Sequence, residues 1–216
     1  MSSSTEISNL ALSHLGISKP IANLETEKTA EAAACRTFYE ITRQRVLRDN
    51  YWPFAKRVET LGLVQETPND EWAYSYRYPS KALMIRKIMS GIRNDTAYSK
   101  TKYEIASDST GKLIWTDLTP AVAIITYDVS DSSFFHPDFV MALSFLLAFY
   151  IGPRVQDGDP AGLRKQAFDA YRLEISRARA SALNEEASDV SPESSFTLER
   201  YGFDAQNQFD SFRSNL

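Results

Sequence analysis

The middle of the chain changes its apolar periodicity twice, and these two changes limit the folds available to it. Helical spacing ends at Trp52-Pro53-Phe54-Ala55 and returns after Pro137. Pro53 cannot continue a helix, and the residues that follow favour strands. Six strand candidates lie between turn-rich pieces: residues 57–64, 74–78, 83–90, 102–106, 112–115 and 121–128. Their short connections predict a mostly antiparallel sheet inserted into a helical frame.

Two helices are predicted before this insert. Ser3 and Glu6 have the spacing of a capping box, and Gly16 follows the last residue of the first helical face. A longer, Ala-rich segment begins at Thr26 or Thr29 and keeps helical spacing to about residue 50. Each helix therefore starts at a side chain able to bond free backbone donors.

Two further helices are predicted after the insert. The first follows Pro137 and is apolar over so wide a surface that other elements must cover it. Its nearly uncharged run, residues 139–153, is shorter than a bilayer span, so we expect no membrane segment. The second begins at Asp159 and Pro160, which suit an N-cap and a first turn, and ends near residue 187.

The composition changes at Ser188, where Ser, Asp, Asn and Gln become common and no periodicity is sustained. Five acidic against two basic residues give this segment a net negative charge, and such a composition predicts an extended arm. The fold class is therefore predicted to be α+β. An antiparallel helical bundle (residues 1–56 and 131–187) carries an inserted, mostly antiparallel β-rich lobe (57–130) and an extended C-terminal arm (188–216).

The composition offers little material for catalysis or for metal binding. The net charge of -4 argues against a protein that mainly grips a phosphate backbone. Cys35 is the only cysteine, so an intrachain disulfide and a CxxC metal site are excluded. His14 and His136 are the only histidines, and no Gly-rich phosphate loop is present. We expect no enzyme activity, no cofactor and no metal.

Two aromatic clusters have both a structural and a functional interpretation. The first cluster, the layer junction, consists of Trp52, Pro53 and Phe54. Its rings could stack on a ligand, but we favour a structural role in which they pack between helices and strands and fix the angle between them. The second cluster, the lobe aromatic face, consists of Trp72, Tyr74, Tyr76 and Tyr78. Its rings could stack on bases or sugars, but the alternation of aromatic with smaller or charged residues favours a half-buried strand or a subunit contact.

Charged clusters on and before the second helix also have two interpretations. Arginines interleave with acids in the pattern of a solvated or intersubunit ion-pair face: Arg36, Arg43, Arg45 and Arg48 with Glu31, Glu40 and Asp49. Three acids near the helix start could serve a glycosidase, although the helix dipole alone favours acids there: Glu25, Glu27 and Glu31.

Five stretches in a fixed order resemble the tail tubular protein A, or head-to-tail adaptor, family of short-tailed phages. The resemblance covers roughly residues 4–185. The stretches are residues 11–16 (ALSHLG), the Ala-rich helix ending in Val46-Leu47-Arg48, Trp52-Pro53-Phe54-Ala55, residues 72–79 (WAYSYRYP) followed by Leu83, and Pro137-Asp138-Phe139 leading into Ala142 and Leu143.

The resemblance implies a structural virion protein and not an enzyme. Members form an adaptor ring, commonly twelve-fold, that joins the portal to the tail nozzle protein (similar to tail tubular protein B). DNA passes through the bore without specific binding. Such a subunit is assembled in the host cytoplasm and resides in the tail neck of the virion, with no contact to a membrane.

C-terminal segments of this family engage the portal, and a flexible arm with spaced aromatic side chains can bury them as anchors on a partner. The expected anchors are Phe196, Tyr201, Phe203, Phe209 and Phe212. Two alternatives remain at this point. One is a virion-associated peptidoglycan hydrolase, because lytic activity has been proposed for some relatives, and the other is a host DNA-binding factor.

Overall fold

The computed structural model describes residues 3–92, 101–155 and 162–185, with side chains to residue 181 in the last helix. These residues belong to one compact unit, Met1–Glu185. Its described part is α+β, with four α-helices and two antiparallel sheets. The predicted arm (188–216) lies outside the described residues, together with its five aromatic anchors.

The helices are α1 (Ser4–His14), α2 (Ala30–Asp49), α3 (Pro137–Val155) and α4 (Leu163–Glu185). The predicted capping box is confirmed, since Ser3 and Glu6 each accept the other's backbone N–H. Of the two candidate starts for α2, Thr29 is the cap, because its hydroxyl accepts the Ala32 N–H at 3.3 Å. Such caps contribute about 1 kcal/mol each.

Helix α3 is the centre of the helical part, and α1, α2 and α4 all pack against it. Its length and composition would allow it to cross a membrane, in contrast to the expectation from residues 139–153 alone. The helix is longer than that run because it also includes Pro137, Asp138, Arg154 and Val155. Buried core helices meet the same criteria, and 56% of the apolar window is buried against the rest of the protein.

The strands are β1 (Lys56–Thr60), β2 (Leu63–Glu66), β3 (Tyr74–Arg77), β4 (Ala82–Ile88), β5 (Glu104–Asp108), β6 (Gly111–Thr116) and β7 (Val122–Tyr127). They form two sheets among the described residues. The three-stranded sheet has the order β1-β7-β4, and the four-stranded sheet has the order β2-β3-β6-β5. Every pairing is antiparallel.

The prediction of one strand over residues 57–64 and of a single sheet is wrong. The chain leaves the first sheet at Leu61, whose N–H donates to the Ala121 carbonyl at 2.9 Å, and enters the second sheet after Gly62. The Leu61 side chain is buried between the two sheets, and the apolar side chains that pack there come from both of them. The shared core accounts for the division, because β1 forms an edge of one sheet and β2, directly after it, forms an edge of the other.

A single arginine connects the three-stranded sheet to the end of α2. Arg86 on β4 donates to the Thr126 hydroxyl at 2.6 Å and to the Asn50 carbonyl at 2.8 Å, and it reaches the carbonyls of Leu47 and Arg48 at 3.4 and 3.3 Å. The last carbonyls of a helix lack partners within the helix. The guanidinium supplies donors to them and so fixes the sheet against α2.

Candidate interaction surface

The predicted layer junction lies in the main core beneath α3. Trp52 is 3% exposed, its indole N–H donates to the Val46 carbonyl at 2.8 Å, and its ring meets Phe139 edge-on at 5.1 Å. Phe54 packs against Phe139 at the same centroid distance, and Pro53 begins the 3₁₀ turn Pro53–Ala55. These rings hold the end of α2 and the start of β1 on α3, with Trp52 buried and Phe54 half-buried.

The predicted lobe aromatic face lies mainly on β3 and points into the core between the sheets. Tyr76 is buried and donates its hydroxyl to the Leu118 carbonyl at 2.9 Å, and Tyr74 and Tyr78 pack against the same core. Trp72 precedes the strand and donates its indole N–H to Glu104 at 3.2 Å. A stacking platform needs exposed ring faces, which the buried Tyr76 does not provide.

Two open clefts of about 620 and 590 Å³ adjoin each other, and both are lined by Ala82 and Lys112. Glu59 is the single acid lining the first cleft, and Asp49 is the single acid lining the second. Glycoside hydrolysis requires two carboxylates on either side of the bond that is cleaved. Within the described part of the chain, neither cleft provides such a pair.

The three acids near the start of α2 do not have the properties of a glycosidase acid. The Glu27 carboxylate accepts the Ala22 N–H at 2.8 Å and the Thr29 hydroxyl at 3.0 Å. These two hydrogen bonds lower the pKa of Glu27. A catalytic proton donor needs the opposite shift. Glu25 is exposed and Glu31 lies in the first turn of α2, where the helix dipole favours an acid.

The cysteine and the histidines occupy structural positions. Burial raises the pKa of the Cys35 thiol to about 11, which removes its nucleophilic form at neutral pH. His14 stacks on Phe145 at 4.0 Å with its Nε2 3.0 Å from the Ser144 hydroxyl, and burial lowers its pKa. His136 lies beside Phe54. No group of three potential metal ligands occurs among the described residues.

The prediction of a solvated or intersubunit face for the α2 arginines is wrong for Arg43. This side chain is 1% exposed and forms ion pairs with Glu40 and with Asp128, the latter at 2.7 Å. Arg36 donates to the carbonyls of Leu24 and Glu27, and thus also binds within its own chain. Sequence spacing indicated Glu40 but not Asp128 or the two carbonyls, because Asp128 is distant along the chain and a loop carbonyl leaves no signal.

Among residues 3–92, 101–155 and 162–185, no further strand pairs with β2 or β5, so the four-stranded sheet has two open edges there, and both carry exposed apolar side chains. Leu63 and Val64 on β2 are 49% and 45% exposed, and Ile105 on β5 is 46% exposed. In the other sheet, β1 also carries an exposed apolar side chain, Val58, but it lies between Arg57 and Glu59, and β4 packs against α2. Sequence reasoning missed the β2 edge because it treated β1 and β2 as one strand.

Comparison of the chain with models of protein families and with curated proteins returns no match. The candidate surface therefore has to be interpreted from its own geometry. Its two open edges lie at opposite ends of one sheet, and they are different strands with different side chains. Exposed apolar side chains on open strand edges are the kind of surface that proteins can bury against other polypeptides.

Proposed function

We propose that this chain is a subunit of a structural virion ring, the head-to-tail adaptor between portal and tail nozzle of a short-tailed phage. The observation that carries the proposal is the pair of unlike, apolar open edges at opposite ends of the four-stranded sheet. A ring subunit needs two different faces that meet head to tail. An isologous dimer would instead need one face that is complementary to itself.

The environment of the polar side chains supports a structural role. Of the groups that sequence reasoning nominated for chemistry, Glu27 is engaged within the chain and Cys35 is buried, whereas Glu25 is exposed and Glu31 lies in the first turn of α2. Catalysis requires acids, bases or nucleophiles that converge on a reachable volume with suitably shifted pKa values. The two adjoining clefts do not meet this requirement in the described part of the chain.

The resemblance and the fold together suggest the finer architecture of this proposal. The four helices form a bundle around α3, the two sheets form the β-rich lobe, and the arm at 188–216 binds the portal. The lobe faces the nozzle protein, and DNA passes through the bore of a ring of twelve copies.

Electron microscopy of the purified full chain, alone and mixed with the portal protein of the same phage, tests this function. We expect a discrete ring seated on one end of the portal. A mobility-shift assay with duplex DNA over a range of salt concentrations is the control, and no specific complex is expected. A chain that fails to bind the portal but binds DNA with a steep salt dependence would contradict the proposal.

A further inference from the structure

We propose that copies of this chain join edge to edge through their four-stranded sheets, with Leu63 of one copy directly opposite Ile105 of the next. The occupant of each open edge is thus a second copy of the same chain. This choice of occupant rests on the proposed ring function. The position and register of the contact come from the sheet itself.

One row of apolar side chains crosses the whole four-stranded sheet and ends at both open edges. The pairings run from Leu63 to Tyr76, from Tyr76 to Ile114 and from Ile114 to Ile105. Directly paired residues of antiparallel strands share one face, so all four side chains lie on the side that faces the other sheet. The two inner members are 2% and 0% exposed, whereas the outer two remain half exposed. The row is complete only when another apolar side chain adjoins each end.

The backbone of β2 directs its free groups outward at Leu63. The Arg77 N–H donates to the Gly62 carbonyl at 2.8 Å, and these two residues flank the Leu63–Tyr76 pair. In an antiparallel ladder, a pair whose neighbouring residues are hydrogen-bonded to each other is a non-hydrogen-bonded pair. The N–H and the carbonyl of Leu63 therefore point away from β3, toward the open edge.

The same alternation directs the backbone groups of Ile105 outward at the other edge. The Tyr78 N–H donates to the Lys112 carbonyl at 3.1 Å, so these two residues form a hydrogen-bonded pair. Hydrogen-bonded pairs recur at every second residue, so Tyr76–Ile114 is also such a pair. The backbone groups of Ile114 thus point toward β3 and leave Ile105 without bonds from that side. Leu63 of the next copy could exchange two N–H···O bonds with Ile105, and the alternation would continue across the joint.

Strand direction also fits a head-to-tail contact. Three successive antiparallel pairings make β2 and β5 run in opposite directions. A second copy in the same orientation therefore places its β2 antiparallel to β5 of the first. Each joint then has the same geometry, and a repeated rotation of this kind closes into a ring or grows as a filament.

The charges on β5 protect its edge from such pairing only in part. Native sheets often block an edge with free charged side chains or with a covering helix. Here the Asp108 carboxylate binds the Arg77 guanidinium through two bonds of 3.1 and 3.0 Å, and Glu104 accepts the Trp72 indole N–H. Arg77 therefore neutralises Asp108, and Glu104, whose partner is a neutral indole, is the one acid of β5 that keeps its charge toward an approaching strand.

Cysteine pairing in the full chain tests the register. In Leu63→Cys/Ile105→Cys the two Cα atoms would lie about 5.5 Å apart across the joint, within the range of a disulfide. Under oxidation on the assembled portal complex, we expect a covalent ladder of chains on a non-reducing gel. Leu63→Cys and Ile105→Cys alone should give no ladder, and the buried Cys35 is the same in all variants.

Charge substitution gives an independent test of association. Leu63→Lys and Ile105→Lys should each weaken self-association about tenfold or more, measured by sedimentation, because each places a charge in an apolar joint. Leu63→Lys/Ile105→Glu should regain part of this loss, since opposite charges would then face each other. Leu173→Lys is the control, because Leu173 is 50% exposed on α4, outside both sheets.

The outcomes separate this inference from the proposed function. Rings on the portal without a cysteine ladder would overturn the edge pairing while the ring function stands. A ladder in a chain that never binds the portal would support the pairing and overturn the adaptor function. If the double charge variant associates as weakly as the single variants and no ladder forms, the register is wrong. Cysteine chains linked instead to another protein would show that a foreign strand occupies the edge, which also overturns the proposal.

Discussion

At the scale of single residues, the Arg43 guanidinium joins α2 to the end of β7. It pairs with Glu40 on its own helix and with Asp128, and it also donates to the Val129 carbonyl. Burial disfavours the charged form, but the bonds to Glu40 and Asp128 outweigh it and raise the pKa of Arg43. Arg43 is therefore always charged. Its contacts stabilise the fold only while all of its partners are present, because the loss of one leaves buried charge uncompensated.

Replacement of this arginine should destabilise the chain strongly. In Arg43→Met, the carboxylate of Asp128 keeps only the Gln44 amide as a donor and the carbonyl of Val129 loses the guanidinium, and we expect the free energy of unfolding to fall by about 2–4 kcal/mol. Urea unfolding followed by circular dichroism measures this loss. In the control Arg45→Met, an exposed contact with Asp49 at 3.7 Å and an exposed hydrogen bond to the Tyr150 hydroxyl are removed, and the loss should stay below about 1 kcal/mol. Equal losses would contradict the assignment.

The thiol of Cys35 predicts how stability depends on alkaline pH. Burial raises its pKa from 9.0 to about 11 in the folded chain. Below pH 9 the thiol is protonated in both states, so its contribution is fully present. As the pH rises from 9 toward 11, the unfolded chain loses the proton first, and up to about 3 kcal/mol of stability is lost.

Comparison of the wild-type chain with Cys35→Ala isolates this contribution, because burial also raises the pKa of Tyr39, to about 12, in both chains. The difference in their free energies of unfolding should shrink by about 1–3 kcal/mol between pH 8.5 and 10.5. Urea unfolding at a series of pH values measures it. A difference that is constant over this range would show that the folded thiol titrates like an exposed one.

At the scale of elements, α2, β1 and α3 meet at the Trp52 indole, and this predicts two different mutational costs. Trp52→Ala leaves a cavity beneath Phe139 and an unpaired Val46 carbonyl, so we expect a loss of about 3–5 kcal/mol. Trp52→Phe keeps an aromatic ring but loses the indole N–H, and it should cost about 1–2 kcal/mol. The two variants are compared by urea unfolding, and near-equal costs would mean that packing at this junction contributes little.

Elements defined by local chemistry could be predicted from the sequence, whereas those defined by distant contacts could not. The starts of α1 and α2 follow from Ser3 and Thr29, whose side chains bond backbone groups three residues away. The break at Leu61 depends on Ala121, which no local pattern indicates. The candidate surface depends on register in the same way, because the alignment of Leu63 with Ile105 exists only once four strands have paired.

At the scale of the whole molecule, the described residues and the predicted arm are expected to have separable roles. Residues Met1–Glu185 form a compact unit, and the core clusters of the described residues are built from side chains of that unit. The arm carries an excess of acids and five spaced aromatic side chains. Aromatic anchors on a flexible segment lose ordering entropy on binding but bury large apolar areas in return.

Deletion of residues 188–216 should therefore leave folding unchanged and weaken attachment to the portal. We expect the urea midpoint to stay within error of the full chain, while portal binding measured by co-sedimentation falls about tenfold or more. A matched variant keeps the length and charge of the arm but changes its aromatic residues to serine: Phe196, Tyr201, Phe203, Phe209 and Phe212. If anchoring is aromatic, this variant binds as weakly as the deletion. If the serine variant binds as well as the full chain while the deletion does not, the backbone or the charges of the arm make the contact. Unchanged binding in both variants would place the portal contact on the helices and sheets.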